Sequence, residues 1–412
     1  MLETHLRSPV TRERLGAGLT ADHIDAFADW LHHQGYTPTT IDGLLRSLAG
    51  WTDWMRATGF TAQDVLSGFE ACKAALEREE RVPYRRGPNR HSVAAASAYL
   101  RFLRERGKLP LPVPAPTASD RWPVLGAFRS WMRGNRGLTE ATLDVYEGIL
   151  VGLLDTLGDE VRAYRAEALR TFVLERARPH GIERAKSIAV AVRCFLRFLS
   201  ATGRCASGLD HAIPGYASWQ RSAVPRYLPS EDVEQLIGSC ADDANGLRDR
   251  AVLLLLARLA LRASEVAALG FADIDWRGGS ILVCGKARRQ ALLPLPQEVG
   301  DALLLYVRQG RPSLRVPEIF TTVTAPLRPL TRAAVTHIVR GALRRTGIEA
   351  PINGAHVLRH SAATTMLREG ASLADVGAVL RHRSARTTAH YAKVDFDLLS
   401  EIAQPWPEVP SC

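Results

Sequence analysis

At 412 residues the chain exceeds one ordinary core, and 46% hydrophobic with 23% charged residues is the composition of folded domains, not of a disordered or fibrous protein. A net charge of +10 favours a polyanionic partner. The six cysteines (Cys72, Cys194, Cys205, Cys240, Cys284, Cys412) contain no Cys-x-x-Cys pair, which argues against a zinc site or a disulfide framework and fits a reducing compartment.

The N-terminus lacks a signal-peptide pattern, and the longest apolar run, near 251–261, is broken by Arg258 and too short to span a bilayer, so no membrane role is expected. In chain order, Thr20 reads as the cap of a helix carrying Ile24, Phe27, Ala28 and Leu31. Gly35-Tyr36-Thr37-Pro38-Thr39-Thr40 opens a second helix with Ile41, Leu44, Leu45, Leu48 and Trp51 on one face, and residues 92–106 form a third that stops at Gly107. Residues 123–204 repeat this plan. Gly137-Leu138-Thr139-Glu140-Ala141-Thr142-Leu143 mirrors the stretch from Gly35 to Ile41, and Phe195-Leu196-Arg197-Phe198-Leu199 before Gly203 mirrors Tyr99-Leu100-Arg101-Phe102-Leu103 before Gly107. A period of roughly one hundred residues indicates a duplicated domain, with the Pro-rich stretch 110–116 as linker.

Residues 205–229, rich in Gly and Pro, read as a joint in which Arg221 and Arg226 face a passing backbone. Ser230 then caps a helix with Glu231 and Asp232 in its first turn. The pattern predicts one buried helix over 247–269 carrying Arg262, with Glu265 three residues on to hold its guanidinium. Ser280–Cys284 and 290–294 read as two strands whose turn carries Lys286, Arg288 and Arg289. A helix over 297–309, a buried strand at Ile319-Phe320 and a helix capped by Thr331 follow, the last bearing Arg332, Arg340, Arg344 and Arg345. His356 and Arg359 share a helix face, with His360 near it in a packing or supporting role and not expected to be catalytic. That helix stops at Glu369-Gly370; the next, 373–380, leads to Arg381, His382, Thr387-Thr388 and Tyr391. Each residue alone has a mundane explanation, such as a surface ion pair, a solvated lysine or a core tyrosine.

Together the order Arg262, Lys286, His356-x-x-Arg359, His382, Tyr391 resembles the tyrosine recombinase or phage-integrase family, in its Xer-like form and of the kind carried by mobile elements. The resemblance is firm over about 225–400 and looser over 120–205, and it departs from the family at Ala260, Ala287 and Arg381, where glycine is frequent. It implies a mainly α chain with a small antiparallel β-sheet: an N-terminal helical domain over 1–110, a core-binding helical domain over 118–207, a linker over 208–229, an α+β catalytic domain over 230–398 and a tail over 399–412. It implies a site-specific recombinase that cleaves and rejoins DNA through a 3′-phosphotyrosyl intermediate, with Tyr391 as nucleophile. Arg262 and Arg359 would clamp the phosphate, Lys286 act as general acid, His356 as base and His382 as hydrogen-bond donor. Glu265 would support the site from behind, while Arg288, Arg289, Arg344 and Arg381 would bind DNA. No metal or other cofactor is expected, in keeping with the lack of a Walker-type loop or carboxylate cluster. The partners implied are double-stranded DNA and a homo- or hetero-tetramer joined through C-terminal segments near 397–403, in the cytoplasm at the nucleoid. The same chemistry on one duplex would be nicking and closing of the topoisomerase IB kind, and a non-catalytic DNA-binding role would need no nucleophile.

Overall fold

A computed structural model of the chain describes residues 2–6, 8–77, 89–112, 116–216, 226–285, 290–382, 385–389 and 391–394. The architecture is mainly α with one small antiparallel sheet. The chain divides into two compact units, Leu111–Ala223 and a second made of Met1–Pro110 with Val224–Cys412.

In the second unit, residues before 110 form helices α1 (Pro9–Gly16), α2 (Ile24–His33), α3 (Pro38–Ala57), α4 (Val65–Glu77) and α5 (Arg90–Glu105) around their own core. Thr20 precedes only a short 3-10 turn and makes no side-chain cap, so α2 starts at Ile24. Gly35 reverses the chain at φ +82°, and Thr37 then caps α3 by accepting a hydrogen bond from the Thr40 amide at 3.3 Å, with Pro38 pre-set for the first turn. A side chain at Gly35 would also strike Leu327, whose amide donates to the Gln34 carbonyl at 3.4 Å; this close approach joins the N-terminal helices to the later residues.

The unit over 111–223 repeats the local plan with α6 (Pro123–Arg136), α7 (Glu140–Leu157), α8 (Ala166–Ala177) and α9 (Ile182–Ala201). The cores of the two copies match ring by ring. Phe27 meets Tyr99 edge-on at 5.2 Å and 84°, as Phe128 meets Phe195 at 5.5 Å and 88°. Trp30 lies 5.9 Å from Phe102, as Trp131 lies 5.8 Å from Phe198. Edge-to-face packing of this kind orients α2 on α5 and α6 on α9, so the sequence repeat is also a repeat of local packing.

After 226 the chain builds a third core around α10 (Ser230–Gly238) and α11 (Ala244–Arg258). Ser230 is not a side-chain cap; Pro229 occupies that position, and Glu231 and Asp232 answer the helix dipole instead. The single helix expected over 247–269 is also corrected. The chain leaves α11 at Arg258, turns through Ala260 at φ +49°, and starts α12 (Ala263–Ala268) with Arg262 as its N-cap. The apolar run 251–257 carried the helical signal, but hydrophobicity does not reveal a reversal made by an alanine. β1 (Ile274–Asp275), β2 (Ser280–Cys284) and β3 (Gln290–Pro294) form an antiparallel meander, with Ile281 opposite both Ile274 and Leu293 and Cys284 opposite Gln290. α13 (Gln297–Leu305) follows. Ile319 and Phe320 are fully buried but lie between isolated bridges rather than in a strand.

Candidate active site

α14 (Arg332–Thr346) is capped by Thr331, as expected, and precedes α15 (His356–Arg368) and α16 (Leu373–Val379). α17 (Ala385–Thr388) and the 3-10 turn Tyr391–Val394 complete the described part. Ser361 on α15 accepts the Leu228 amide at 2.8 Å, and Arg368 donates to the Tyr227 hydroxyl at 2.5 Å, so α15 also anchors the incoming chain.

Two reversals shape the site. Among the described residues, the non-glycine residues at positive φ are Ala260 (+49°) and Arg381 (+53°). These are two of the three positions where the resemblance led one to expect glycine, and the backbone gives the reason: a left-handed turn without a Cβ is cheaper by about 1–2 kcal/mol. The carbonyls of Ala260 and Leu380, beside the two reversals, both accept from the guanidinium of Arg359, which is 4% exposed. Arg262 reaches the same Leu380 carbonyl at 3.5 Å. Burial, with Arg262 and Arg381 close by, presses the Arg359 pKa down to about 10, still charged at neutral pH.

Glu265 is the counter-charge, its side chain 2% exposed. It accepts from Arg262 Nη1 at 2.6 Å, from the Arg262 amide at 2.8 Å and from Arg381 Nη2 at 2.8 Å. Arg381 also donates from Nη1 to the Val379 carbonyl, so its two terminal nitrogens are engaged by the backbone and Glu265 while its buried Nε has no hydrogen-bond partner.

Tyr391 packs at 3% exposure in an apolar cluster with Ala260, Ala363, Leu367, Val376 and Leu380. Its hydroxyl lies 2.7 Å from His360 Nδ1, and the His382 ring stacks against it at 6.3 Å. Desolvation pushes the Tyr391 pKa up to about 12, partly offset by Arg359. His382 engages Thr388 Oγ1 through Nδ1 at 2.9 Å, and burial, then Arg359, Arg262 and Arg381, bring its pKa down to about 4. His356 begins α15 and is exposed; desolvation, then Arg359, Arg332 and Arg262, lower its pKa. At neutral pH both imidazoles are therefore uncharged.

The structure thus brings together Arg262, Glu265, Arg359, Arg381, His382 and Tyr391, with His356 at the rim. Arg344 is exposed in the last turn of α14, outside this cluster. Lys286, Arg288 and Arg289 lie outside the described residues, as do Arg221 and the C-terminal segment near 397–403; the flanking strand ends are Cys284 and Gln290. The sequence assigns His360 a packing or supporting role rather than a catalytic one; the structure puts it four residues after His356 on the same helix, in contact with Tyr391. Among the described residues no group of His, Cys, Asp and Glu is arranged to hold a metal ion, and no helix is long and apolar enough to cross a membrane.

Comparison with known proteins follows the same residues. The model of the phage integrase family matches 226–397. An integrase/recombinase of Sinorhizobium fredii, y4rA, is 36% identical over 399 residues, 95% of either chain. The tyrosine recombinase XerD of Listeria monocytogenes is 30% identical over 277 residues, 65% of this chain and 92% of XerD. Among solved structures, XerH bound to palindromic difH substrate after cleavage aligns with a TM-score of 0.56 at 18% identity, covering 75% of this chain and 94% of XerH. A lambda integrase tetramer bound to a Holliday junction gives 0.53 at 16%, covering 78% and 90%.

Proposed function

Because this chain belongs to the phage integrase family of tyrosine recombinases, we propose that it breaks and rejoins DNA strands at specific sites through a covalent bond between Tyr391 and a 3′-phosphate. The observation that carries the proposal is the convergence of two guanidiniums, Arg262 and Arg359, on the Leu380 carbonyl beside a buried tyrosine flanked by His360 and His382.

A phosphodiester anion repels nucleophiles, so the first task is charge neutralisation. Arg359, fixed by two carbonyls, and Arg262, fixed by Glu265, would take the non-bridging oxygens and stabilise the charge that grows on pentacoordinate phosphorus. Their cost of orientation is met before substrate arrives, since each is already held. His382, neutral and tethered by Thr388, would donate from Nε2 to a phosphate oxygen. The second task is proton movement. A phenol with a pKa near 12 is a poor nucleophile unless an acceptor takes its proton, and the imidazoles of α15, His356 and His360, supply that chemistry. Lys286 is proposed as the acid for the departing 5′-oxygen. The exchange conserves a phosphoester, so a 5′-hydroxyl from another strand reverses it, and neither ATP nor a metal is required.

Residues 118–207 are proposed as the module that grips DNA with the 230–398 catalytic segment across the 208–229 linker, with 1–110 as its duplicate and 399–412 as a tail. Arg288, Arg289 and Arg344 would follow the DNA backbone, while Arg381, tied to Glu265, would act by holding the site. The proposed assembly is a tetramer on two duplexes. The test uses the full chain with nicked duplexes built from the flanks of its own gene. Wild type should form a protein–DNA adduct and Tyr391→Phe none; no adduct from wild type, or an undiminished one from Tyr391→Phe, overturns the proposal.

A further inference from the structure

Resting on the recombinase reading above, we infer that His360 is the catalytic group that takes the proton from Tyr391 during cleavage and returns it during religation. Two imidazoles compete for this role, His356 and His360, one turn apart on α15 with ring centroids 6.2 Å apart. His360 Nδ1 lies at hydrogen-bond distance from the Tyr391 oxygen, 2.7 Å, whereas His356 sits at the exposed start of the helix. For His360 to take the proton, the Tyr391 hydroxyl donates and Nδ1 accepts in that bond, which requires the tautomer with its proton on Nε2. His382, the other ring near Tyr391, has Nδ1 engaged with Thr388, and its ring lies at 14° to the tyrosine ring with centroids 6.3 Å apart. Tyr391 is 3% exposed, so bulk water does not substitute for a protein acceptor.

The helix spacing makes the arrangement economical. Arg359 and His360 are successive residues of α15, the first turned to the carbonyls of Ala260 and Leu380 and the second to the nucleophile. His360 follows Arg359 in the chain, so an imidazolium formed there adds positive charge near that guanidinium and a bound phosphodiester anion offsets it, which couples nucleophile activation to substrate binding. The step balances. The Tyr391 Oη–H bond breaks with the proton passing to Nδ1, the Oη–P bond forms, the P–O5′ bond breaks, and the 5′-oxygen is protonated by the proposed acid Lys286. Religation runs each transfer backwards, so no co-reactant is consumed.

The experiment measures single-turnover adduct formation by the full chain on the nicked duplexes described above, with DNA affinity measured in parallel. His360→Ala should slow the adduct about 100-fold, the lower end of general-base contributions, at unchanged affinity. Added imidazole should restore part of that rate. A duplex whose 5′-bridging oxygen is replaced by sulfur, which leaves without an acid, should not restore it. His360→Asn keeps an acceptor oxygen near the Nδ1 position but cannot bind the proton, and should remain slow. The inference is overturned if His360→Ala stays within about threefold of wild type, if His360→Asn regains the wild-type rate, or if His356→Ala is the variant that imidazole rescues. An inactive wild type, or an active Tyr391→Phe, would instead bring down the recombinase reading itself.

Discussion

Glu265→Gln is the sharpest test of how the site is held. One carboxylate, 2% exposed, receives Arg262 Nη1, the Arg262 amide and Arg381 Nη2 at 2.6, 2.8 and 2.8 Å. Bonds to a charged acceptor are roughly twice as strong as neutral ones, so an isosteric amide forfeits about 1 kcal/mol at each of three donors. Arg262 is 29% exposed and recovers some hydration, which brings the expected loss to about 2–3 kcal/mol, just below the range for breaking a fully buried pair. Because the chain has more than one unit, a single unfolding midpoint is a poor readout; amide hydrogen exchange over 259–269 and 376–382 isolates the effect. Exchange there should accelerate roughly 30- to 150-fold with little change in α6 to α9. Arg381→Met removes one of the claimants, so the double variant should lose less than the sum of the singles by about 1 kcal/mol. Acceleration below about twofold, or strict additivity with Arg381→Met, would refute the view that Glu265 organises the two arginines.

Two further outcomes follow from the reversals and the imidazoles. Ala260→Val places a β-branched side chain at φ +49° in a fully buried position and should destabilise the 226–394 segment by about 3 kcal/mol or more. Ala260→Gly, which exchanges strain relief for a lost methyl, should stay within about 1 kcal/mol; equal effects in urea melts of the two would count against the strained turn. His382 has a folded-state pKa near 4, below its unfolded value, so the folded state prefers it neutral. The associated stability is intact above about pH 6.5 and is lost as pH falls toward 4. Since the ring is only half-buried, the loss should be about 1–2 kcal/mol after solvent screening, and His382→Gln should show a smaller acid loss in exchange measured at neutral and acid pH. An unchanged acid loss in that variant would remove His382 as its source.

The identity and order of the chemistry-bearing residues were set by the sequence, because a family's reactive groups survive as letters at compatible spacings. The internal repeat was legible for a similar reason: helix stops at Gly107 and Gly203 and the aromatic pairs Tyr99/Phe102 and Phe195/Phe198 are local features, and these rings pack alike before 110 and within 123–204. What only the tertiary structure decided is how distant segments meet. A hydrophobic run cannot announce that Ala260 will turn left-handed, so Arg262 became a helix cap instead of a mid-helix residue. No local pattern tells Arg381 to bind Glu265, 116 positions away, and none separates His360 from His356. Those choices depend on which carbonyl, carboxylate or phenol the folded chain carries to each side chain, and a buried polar group must accept whatever partner packing supplies.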